Sequence, residues 1–162
     1  MGSAPALAVF NSKLYVAFRS NDSRNILFIS SSSDGVTFPT ATAYANIAMG
    51  GAPSLAIYNS QLFVGFRAND PSNMLFTTAS ADGVSFPAGT ASPAVTMGSD
   101  PSLAALGTQL YVAFRANDSS NQLFVTSSTT GTSFPGATGY PAMVLGDGLR
   151  AKRWSLTPGL RD

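Results

Sequence analysis

The feature that most constrains this chain is an internal repeat of 48 residues. Arg19, Arg67 and Arg115 mark the same position in three successive copies, and no insertion interrupts the spacing. Copies this similar share one structure, because the same local sequence has the same conformational preferences. We therefore expect three equivalent units and an end that does not repeat. Their bounds are 1–48, 49–96 and 97–146 for the units and 147–162 for a basic tail.

Each unit reads as four short strands separated by turns. In the second unit, Leu62, Val64 and Phe66 alternate with their neighbours, and a period of two is typical of a β-strand. The segments 69–72 and 81–83 are rich in Asn, Asp, Pro and Gly, which favour turns. The strands predicted for this unit are 55–58, 61–67, 73–80 and a fourth that opens at 84–87.

Tandem units of four antiparallel strands and roughly 40 to 50 residues are typical of β-propeller blades. Large apolar side chains on both faces of one strand, such as Tyr15 and Phe18, fit this architecture because each blade packs between two others. A β-helix needs shorter coils and a β-sandwich requires no strict repeat, so we rank both folds below a β-propeller. We predict an all-β fold, a β-propeller with three four-stranded antiparallel blades per chain.

Composition excludes several classes of function. The 162 residues contain no Cys and no His, which excludes disulfides, thiolate or imidazole metal sites, and Ser-His or Cys-His nucleophiles. The formal net charge of +1 provides no field for collecting nucleic acid, and no stretch has the pattern of a membrane span or a signal peptide. We expect no metal, no cofactor, no nucleic-acid partner and no membrane span. The abundance of Ser, Thr and Asn suggests a secreted or cell-surface protein.

Two turns resemble a motif of a known family. The segments 32–38 and 80–86 resemble the Asp box of sialidase-like propellers, which joins the third and fourth strands of a blade and reads roughly Ser-x-Asp-x-Gly-x-Thr-Trp. Here the match is one residue shorter, Phe replaces Trp, and Thr130 replaces the Asp in the third unit. The resemblance implies a propeller fold and a structural staple, in which the Asp bonds the turn backbone and the aromatic ring packs beneath it.

Three blades do not close a ring, since propellers typically have about four to eight. A lone chain exposes two flat apolar sheet faces, which soluble proteins avoid. Two copies supply six blades, the number that the resemblance to sialidase-like propellers implies. We therefore predict a homodimer that closes one six-bladed ring, and we rank a trimer with nine blades below it.

One polar motif recurs in every unit, between the second and third strands. It reads Arg-x-Asn-Asp-x-x-Asn, and in propellers this junction lies on the same rim as the connections between blades. Amides, a carboxylate and a guanidinium supply the directional bonds that hydroxyl-rich sugars need, and Tyr44, Tyr140 and Phe63 are candidate aromatic platforms. The alternative is a self-capping turn whose Arg only holds the blade together. The candidate ligand-binding residues are Arg19, Asn21, Asp22, Asn25, Arg67, Asn69, Asp70, Asn73, Arg115, Asn117, Asp118 and Asn121.

The sequence favours binding over catalysis. The resemblance to sialidases implies a Tyr nucleophile paired with a Glu, and the chain has no Glu. We expect the six Asp of the repeats at equivalent turns, with no close pair of unlike carboxyl groups of the kind that glycoside hydrolysis needs. We predict a non-catalytic, lectin-like module with repeated weak carbohydrate sites, and no enzyme. The alternatives are a structural or protein-interaction scaffold from a longer repeat array and, more remotely, a glycoside hydrolase.

The tail carries four of the nine basic residues and the only Trp of the chain. It has two interpretations, a binding segment for an acidic partner or a solvated end. Trp154 and Leu156 are candidates to cover an exposed blade edge.

Overall fold

The computed structural model describes residues 1–145, which form twelve β-strands and no helix. The strands build three antiparallel four-stranded sheets, each made of four consecutive strands. The predicted all-β fold with three such sheets is confirmed, and the predictions for the tail lie outside the described residues. Across residues 1–145 there is accordingly no helix able to cross a membrane. The first sheet contains β1 (Ala6–Phe10), β2 (Lys13–Arg19), β3 (Ile26–Ser32) and β4 (Thr42–Ala48); the second contains β5 (Ser54–Tyr58), β6 (Gln61–Arg67), β7 (Met74–Ser80) and β8 (Thr90–Thr96); the third contains β9 (Ser102–Leu106), β10 (Gln109–Arg115), β11 (Gln122–Ser128) and β12 (Thr138–Val144).

A two-residue turn joins the first two strands of each sheet. Asn11 and Ser12 have φ values of 46° and 58°, and Asn59 and Ser60 have φ values of 46° and 57°. Positive φ at both positions matches the twist of an antiparallel hairpin, and Asn tolerates this conformation better than most residues. In the third sheet Gly107 takes the first position with a φ of 57°. These turns set the register of the hairpins.

The fourth strand of each sheet begins later than predicted. The prediction opened it at 84–87 in the second unit, whereas β8 begins at Thr90. The residues between form a loop in which Phe86 is buried and the Pro87 carbonyl accepts a hydrogen bond from Thr78 Oγ1 at 2.8 Å. The alternating pattern there reflects packing of the loop on the sheet, because Pro87 has no N–H to enter a strand ladder.

The three sheets, called blades 1, 2 and 3 below, pack face to face. β5 contacts both β1 and β9, so the first strand of each blade is innermost. One apolar cluster fills the space between blades 1 and 2, and another fills the space between blades 2 and 3. Blade 2 is therefore covered on both faces, and Leu62, Phe63 and Val64 are each at most 2% exposed. Blades 1 and 3 are each covered on one face.

The strand directions place the loops at two opposite edges. The connections between blades and the turns between second and third strands meet at one edge, called the upper rim. Two backbone hydrogen bonds join them there, from the Gly50 N–H to the Arg67 carbonyl at 2.8 Å and from the Met49 N–H to the Asn25 carbonyl at 2.9 Å. The hairpin turns and the turns after the third strands lie at the opposite edge, the lower rim. The polar motif thus shares a rim with the connections between blades.

We expect the stability of the chain to depend on the packing between blades. Leu62→Ala removes a fully buried side chain from the interface of blades 1 and 2 and should lower the free energy of unfolding by about 2 to 5 kcal/mol. Val84→Ala, at an exposed position of the same blade, is the matched control and should change it by less than about 0.5 kcal/mol. Urea denaturation measures both, and equal effects would contradict the interface.

Candidate functional site

The arginine of each motif clamps the upper rim of its own blade. In blade 2, one Nη of Arg67 donates to Asn73 Oδ1 at 2.5 Å and the other donates to the Gly50 carbonyl at 2.8 Å. Arg19 and Arg115 make the same two contacts in blades 1 and 3. The guanidinium therefore ties the turn after the second strand to the entry of the innermost strand.

The two partners of the clamp are fitted to it by their backbones. Asn73 has a φ of 52°, in the left-handed region that Asn adopts more readily than most residues, and Asn25 and Asn121 match it. A Cβ on Gly50 would lie 2.2 Å from the Ala68 carbonyl oxygen, so only glycine permits this approach. Backbone geometry accounts for the recurrence of both residue types.

The aspartate of each motif is engaged with its own turn. Asp70 Oδ1 accepts the Ser72 backbone N–H at 2.8 Å, Asp118 makes the equivalent bond, and Asp22 also pairs with the Arg24 guanidinium at 2.6 Å. The bond from Arg24 is the largest of the interactions that lower the pKa of Asp22 to about 2, and serine hydroxyls lower the pKa of the other two. All three are carboxylates at neutral pH. Within residues 1–145, acidic side chains do not gather in threes as a metal site requires.

The first Asn and the Asp of the motif also line clefts between blades. Asn69 and Asp70 border a cavity of about 290 Å³ between blades 1 and 2. Asn117 and Asp118 border an equivalent cavity of about 310 Å³ between blades 2 and 3. The corresponding residues of blade 1 lie beside its uncovered face. The structure thus distributes the motifs over separate clefts, and the prediction that they bind a ligand stays a prediction.

The aromatic side chains considered as sugar platforms lie away from these clefts. Phe63 is buried between blades 2 and 3. The Tyr44 hydroxyl donates to the Val84 carbonyl at 2.6 Å across the interface of blades 1 and 2. Tyr140 lies on the outermost strand of blade 3 and borders neither cleft.

The turns at 32–38 and 80–86 are staples of the lower rim. Asp34 Oδ1 accepts the backbone N–H of Val36 at 2.9 Å, that of Thr37 at 2.7 Å and the Ser32 hydroxyl at 2.7 Å. Asp82 repeats this pattern in blade 2. The serine hydroxyls first, and then the backbone N–H groups, hold the pKa of both carboxyls well below their usual range. In blade 3 a threonine hydroxyl accepts the corresponding N–H at 3.3 Å.

Asp100 is the residue that sequence reasoning missed. It lies at the entry of β9, where blades 1 and 2 have Ala4 and Ala52. The expectation that all six Asp of the repeats occupy equivalent turns is therefore wrong. The other five each accept backbone N–H bonds, whereas the Asp100 carboxylate accepts no hydrogen bond from the described residues. The signal that could have found Asp100 is its departure from the repeat.

A second departure from the repeat lies beside Asp100. Gly51 stands where blades 1 and 3 have Ser3 and Ser99, and a Cβ there would come within 1.7 Å of Asp100 Oδ1. The glycine provides the space in which the Asp100 side chain lies. Ser3 and Ser99 each accept the backbone N–H of the clamping arginine, a bond that blade 2 lacks. Two breaks in the repeat thus meet at one point of the upper rim, beside the innermost strands.

Several solved structures that resemble the chain are propeller glycoside hydrolases. Bacteroides ovatus xyloglucan PUL GH43B has a TM-score of 0.62 at 11% identity over 85% of this chain and 30% of its own. The GH43_1 enzyme from Xanthomonas citri complexed with xylose has a TM-score of 0.57 at 12% identity over 85% of this chain and 54% of its own. A Bombyx mori GH32 beta-fructofuranosidase in complex with sucrose has a TM-score of 0.57 at 14% identity, covering 82% and 34%. The chain thus spans about a third to a half of these structures.

No family model matches the chain, and no curated protein matches its sequence. The structural likeness places the chain in the β-propeller fold. It does not show the sialidase-like family, and it does not support the six-bladed ring formed by two copies.

The prediction of a non-catalytic, lectin-like module or scaffold, and of no enzyme, is wrong, because the structural neighbours are glycoside hydrolases. That prediction assumed that every blade presents the same groups. Asp100 and Gly51 break this equivalence at the upper rim. The absence of Glu excluded only the nucleophile pair of sialidase type, and it did not exclude hydrolysis by other carboxyl groups.

We expect the arginine clamp to stabilise the fold. Arg67→Ala removes two charge-assisted hydrogen bonds and should lower the free energy of unfolding by about 2 to 3 kcal/mol. The matched control is Arg24→Ser, which removes an exposed arginine and introduces the residue that blades 2 and 3 carry there. Thermal and urea denaturation compare the two variants. An Arg67→Ala variant as stable as the control would contradict the clamp.

We expect the staples of the lower rim, formed by Asp34 and Asp82, to make the stability of the fold depend on pH in the acid range. The folded state lowers the pKa of Asp34 and Asp82. Their contribution to the free energy of unfolding is therefore complete above the ordinary carboxyl pKa of about 4, and it is lost as the pH falls toward the folded-state pKa values. The double variant Asp34→Asn/Asp82→Asn should be less stable at neutral pH and should lose less stability on acidification. Thr130→Asn, at the same turn of blade 3, should leave the pH profile unchanged. Melting temperatures measured from pH 7 to pH 2 test this, and parallel profiles for wild type and the double variant would refute it.

Proposed function

We propose that the chain is a propeller of the glycoside hydrolase kind, which acts on a glycan at the upper rim with Asp100 as a reacting carboxyl group. The observation that carries the proposal is the fit of Asp100 into the space left by Gly51. At each of these two positions the other two blades share one residue type, Ser at the first and Ala at the second, and no contact of the described framework accounts for the exchange. The names of the structural neighbours, which include xyloglucan, xylose and sucrose, indicate the class of substrate.

Hydrolysis of a glycosidic bond uses two carboxyl groups, one that protonates the leaving oxygen and one that acts as base or nucleophile. Both are Asp here, because the chain contains no Glu. Asp118 lies on the same rim of the same blade as Asp100. The backbone of its neighbour Asn117 passes close to Gly98, which is two residues before Asp100. A Cβ built on Gly98 would lie 3.1 Å from Asn117 Cα. Hydrogen bonds hold Asp118 as a carboxylate, which suits a base or nucleophile. Asp100, which accepts no hydrogen bond from the described residues, is the second reacting carboxyl group.

The clefts between blades serve in this proposal as subsites for further sugar units. Asn69 with Asp70, and Asn117 with Asp118, offer amide and carboxylate groups to sugar hydroxyls. The clamping arginines and the second Asn of each motif keep the rim in shape. We also propose a relation to sialidase-like propellers, supported by the staples at the lower rim.

Hydrolysis assays test the proposal directly. We expect the purified chain to release product from at least one member of a panel of chromogenic xylosides and arabinosides, xyloglucan fragments and sucrose. Asp100→Asn should slow that reaction by about 10² to 10⁴-fold at an unchanged melting temperature, because the Asp100 carboxylate accepts no hydrogen bond from residues 1–145. Asp34→Asn, at the opposite rim, should keep the activity when assayed well below its melting temperature. A panel without hydrolysis, or an equally active Asp100→Asn, would overturn the proposal.

Gly51→Ser separates function from folding more sharply. The substitution restores the residue of blades 1 and 3, whose hydroxyl accepts the backbone N–H of the clamping arginine at 3.0 to 3.2 Å. We therefore expect the melting temperature to stay the same or to rise. The Cβ of the new serine would lie 1.7 Å from Asp100 Oδ1, so the Asp100 carboxylate must move away. Moving a reacting group by about 1 Å should slow hydrolysis by about 10²-fold. Full activity in Gly51→Ser would contradict the role of Asp100.

A further inference from the structure

Within residues 1–145, no blade covers the two apolar faces at the ends of the row of blades. The front face of blade 1 includes Leu7, which is 60% exposed, and the rear face of blade 3 includes Leu106, which is 72% exposed. Neither set contains a charged residue. The front face consists of Leu7, Val9, Leu14, Val16, Phe18, Phe28 and Phe38, and the rear face consists of Leu106, Tyr111, Ala113, Leu123, Val125 and Tyr140.

Each open face is the repeat equivalent of a face that is covered inside the molecule. The front-face residues correspond to the residues with which blade 2 packs on blade 1. The rear-face residues correspond to those with which blade 1 packs on blade 2 and, in part, to those with which blade 2 packs on blade 3. The molecule therefore contains two examples of a rear face seated on a front face, and it leaves one of each open.

We propose that the rear face of blade 3 docks on the front face of blade 1 of a second copy of this chain, head to tail. The internal interfaces specify the contacts. Because the Tyr44 hydroxyl donates to the Val84 carbonyl and its ring meets Phe86 edge-on at 5.3 Å, Tyr140 donates to Val36 and packs on Phe38 of the second copy.

A backbone contact follows from the same correspondence. The Leu103 N–H donates to Ser54 Oγ at 2.9 Å between blades 2 and 3. At the new interface the donor is the Leu7 N–H of the second copy, and the acceptor is Ser102, which is exposed in the single chain. Blade 1 has Ala6 at the position of Ser54, so this bond is absent between blades 1 and 2 and is available at the rear of blade 3.

The second copy is the partner that fits, because blades of this repeat already pack rear face on front face at the two internal interfaces. The two faces of one chain differ from each other, so the contact is heterologous rather than symmetric. Two copies joined by one such contact place six blades in a row. The association does not depend on catalysis, so an inactive chain would still assemble.

Mass measurement by light scattering tests the association. We expect the wild-type chain, whose own mass is 16.7 kDa, to form species of at least twice that mass. The fraction of associated chains should rise with protein concentration. Leu7→Lys in the front face and Leu106→Lys in the rear face should each give a folded single chain, since both side chains are exposed in it. Val84→Lys, an exposed position outside both faces, is the control and should associate like wild type.

Mixing the two variants gives the decisive result. Leu7→Lys retains an intact rear face and Leu106→Lys retains an intact front face, so the mixture should recover a species of twice the mass. A symmetric contact between like faces, or an unrelated surface, does not predict this recovery. A wild-type chain that stays single at all concentrations, variants that associate as well as wild type, or a mixture that stays single would each overturn the proposal.

Discussion

Each unit of 48 residues has two apolar faces and cannot bury either one by itself. The packing of one sheet on the next is therefore the constraint on which the structure depends, since hydrophobic burial is the main favourable term in folding. Blade 2 satisfies it on both faces, as the burial of Leu62 on one face and of Phe63 on the other shows. The repeat follows from this requirement, because a face that fits one neighbour fits the next when the sequence is copied.

The strands could be predicted because their side chains obey a period that packing imposes. The run from Gln61 to Arg67 was predicted with the bounds that the structure shows, and the hairpin residues Asn59 and Ser60 occupy the turn that their types favour. The fourth strand was misplaced because Phe86 alternates like a strand residue while it packs from a loop. Burial produces the same pattern in both cases, and only the hydrogen-bonding partner distinguishes them.

The candidate site was harder to predict, because one partner in many of its contacts is a backbone group or an empty space, which residue types do not reveal. The Arg67 guanidinium binds the carbonyl of Gly50, and any residue type has a carbonyl. The sequence therefore left two interpretations of this recurring arginine open, a binding group or a residue that holds the blade together. The space around Asp100 depends on the missing side chain of Gly51, which is visible only when the strands are placed side by side.

Exact repetition gives every blade the same groups in the same surroundings, so equivalent carboxyl groups share one protonation behaviour. Acid–base chemistry on a glycan requires two carboxyl groups with different behaviour, which arises only where surroundings differ. A propeller of near-identical blades must therefore break its repeat to gain such a pair. Gly51 lacks the hydrogen bond that Ser3 and Ser99 make, and Asp100 replaces an alanine and accepts no hydrogen bond from the described part of the chain. The two departures lie together at the upper rim, which is the placement that the proposed reaction requires.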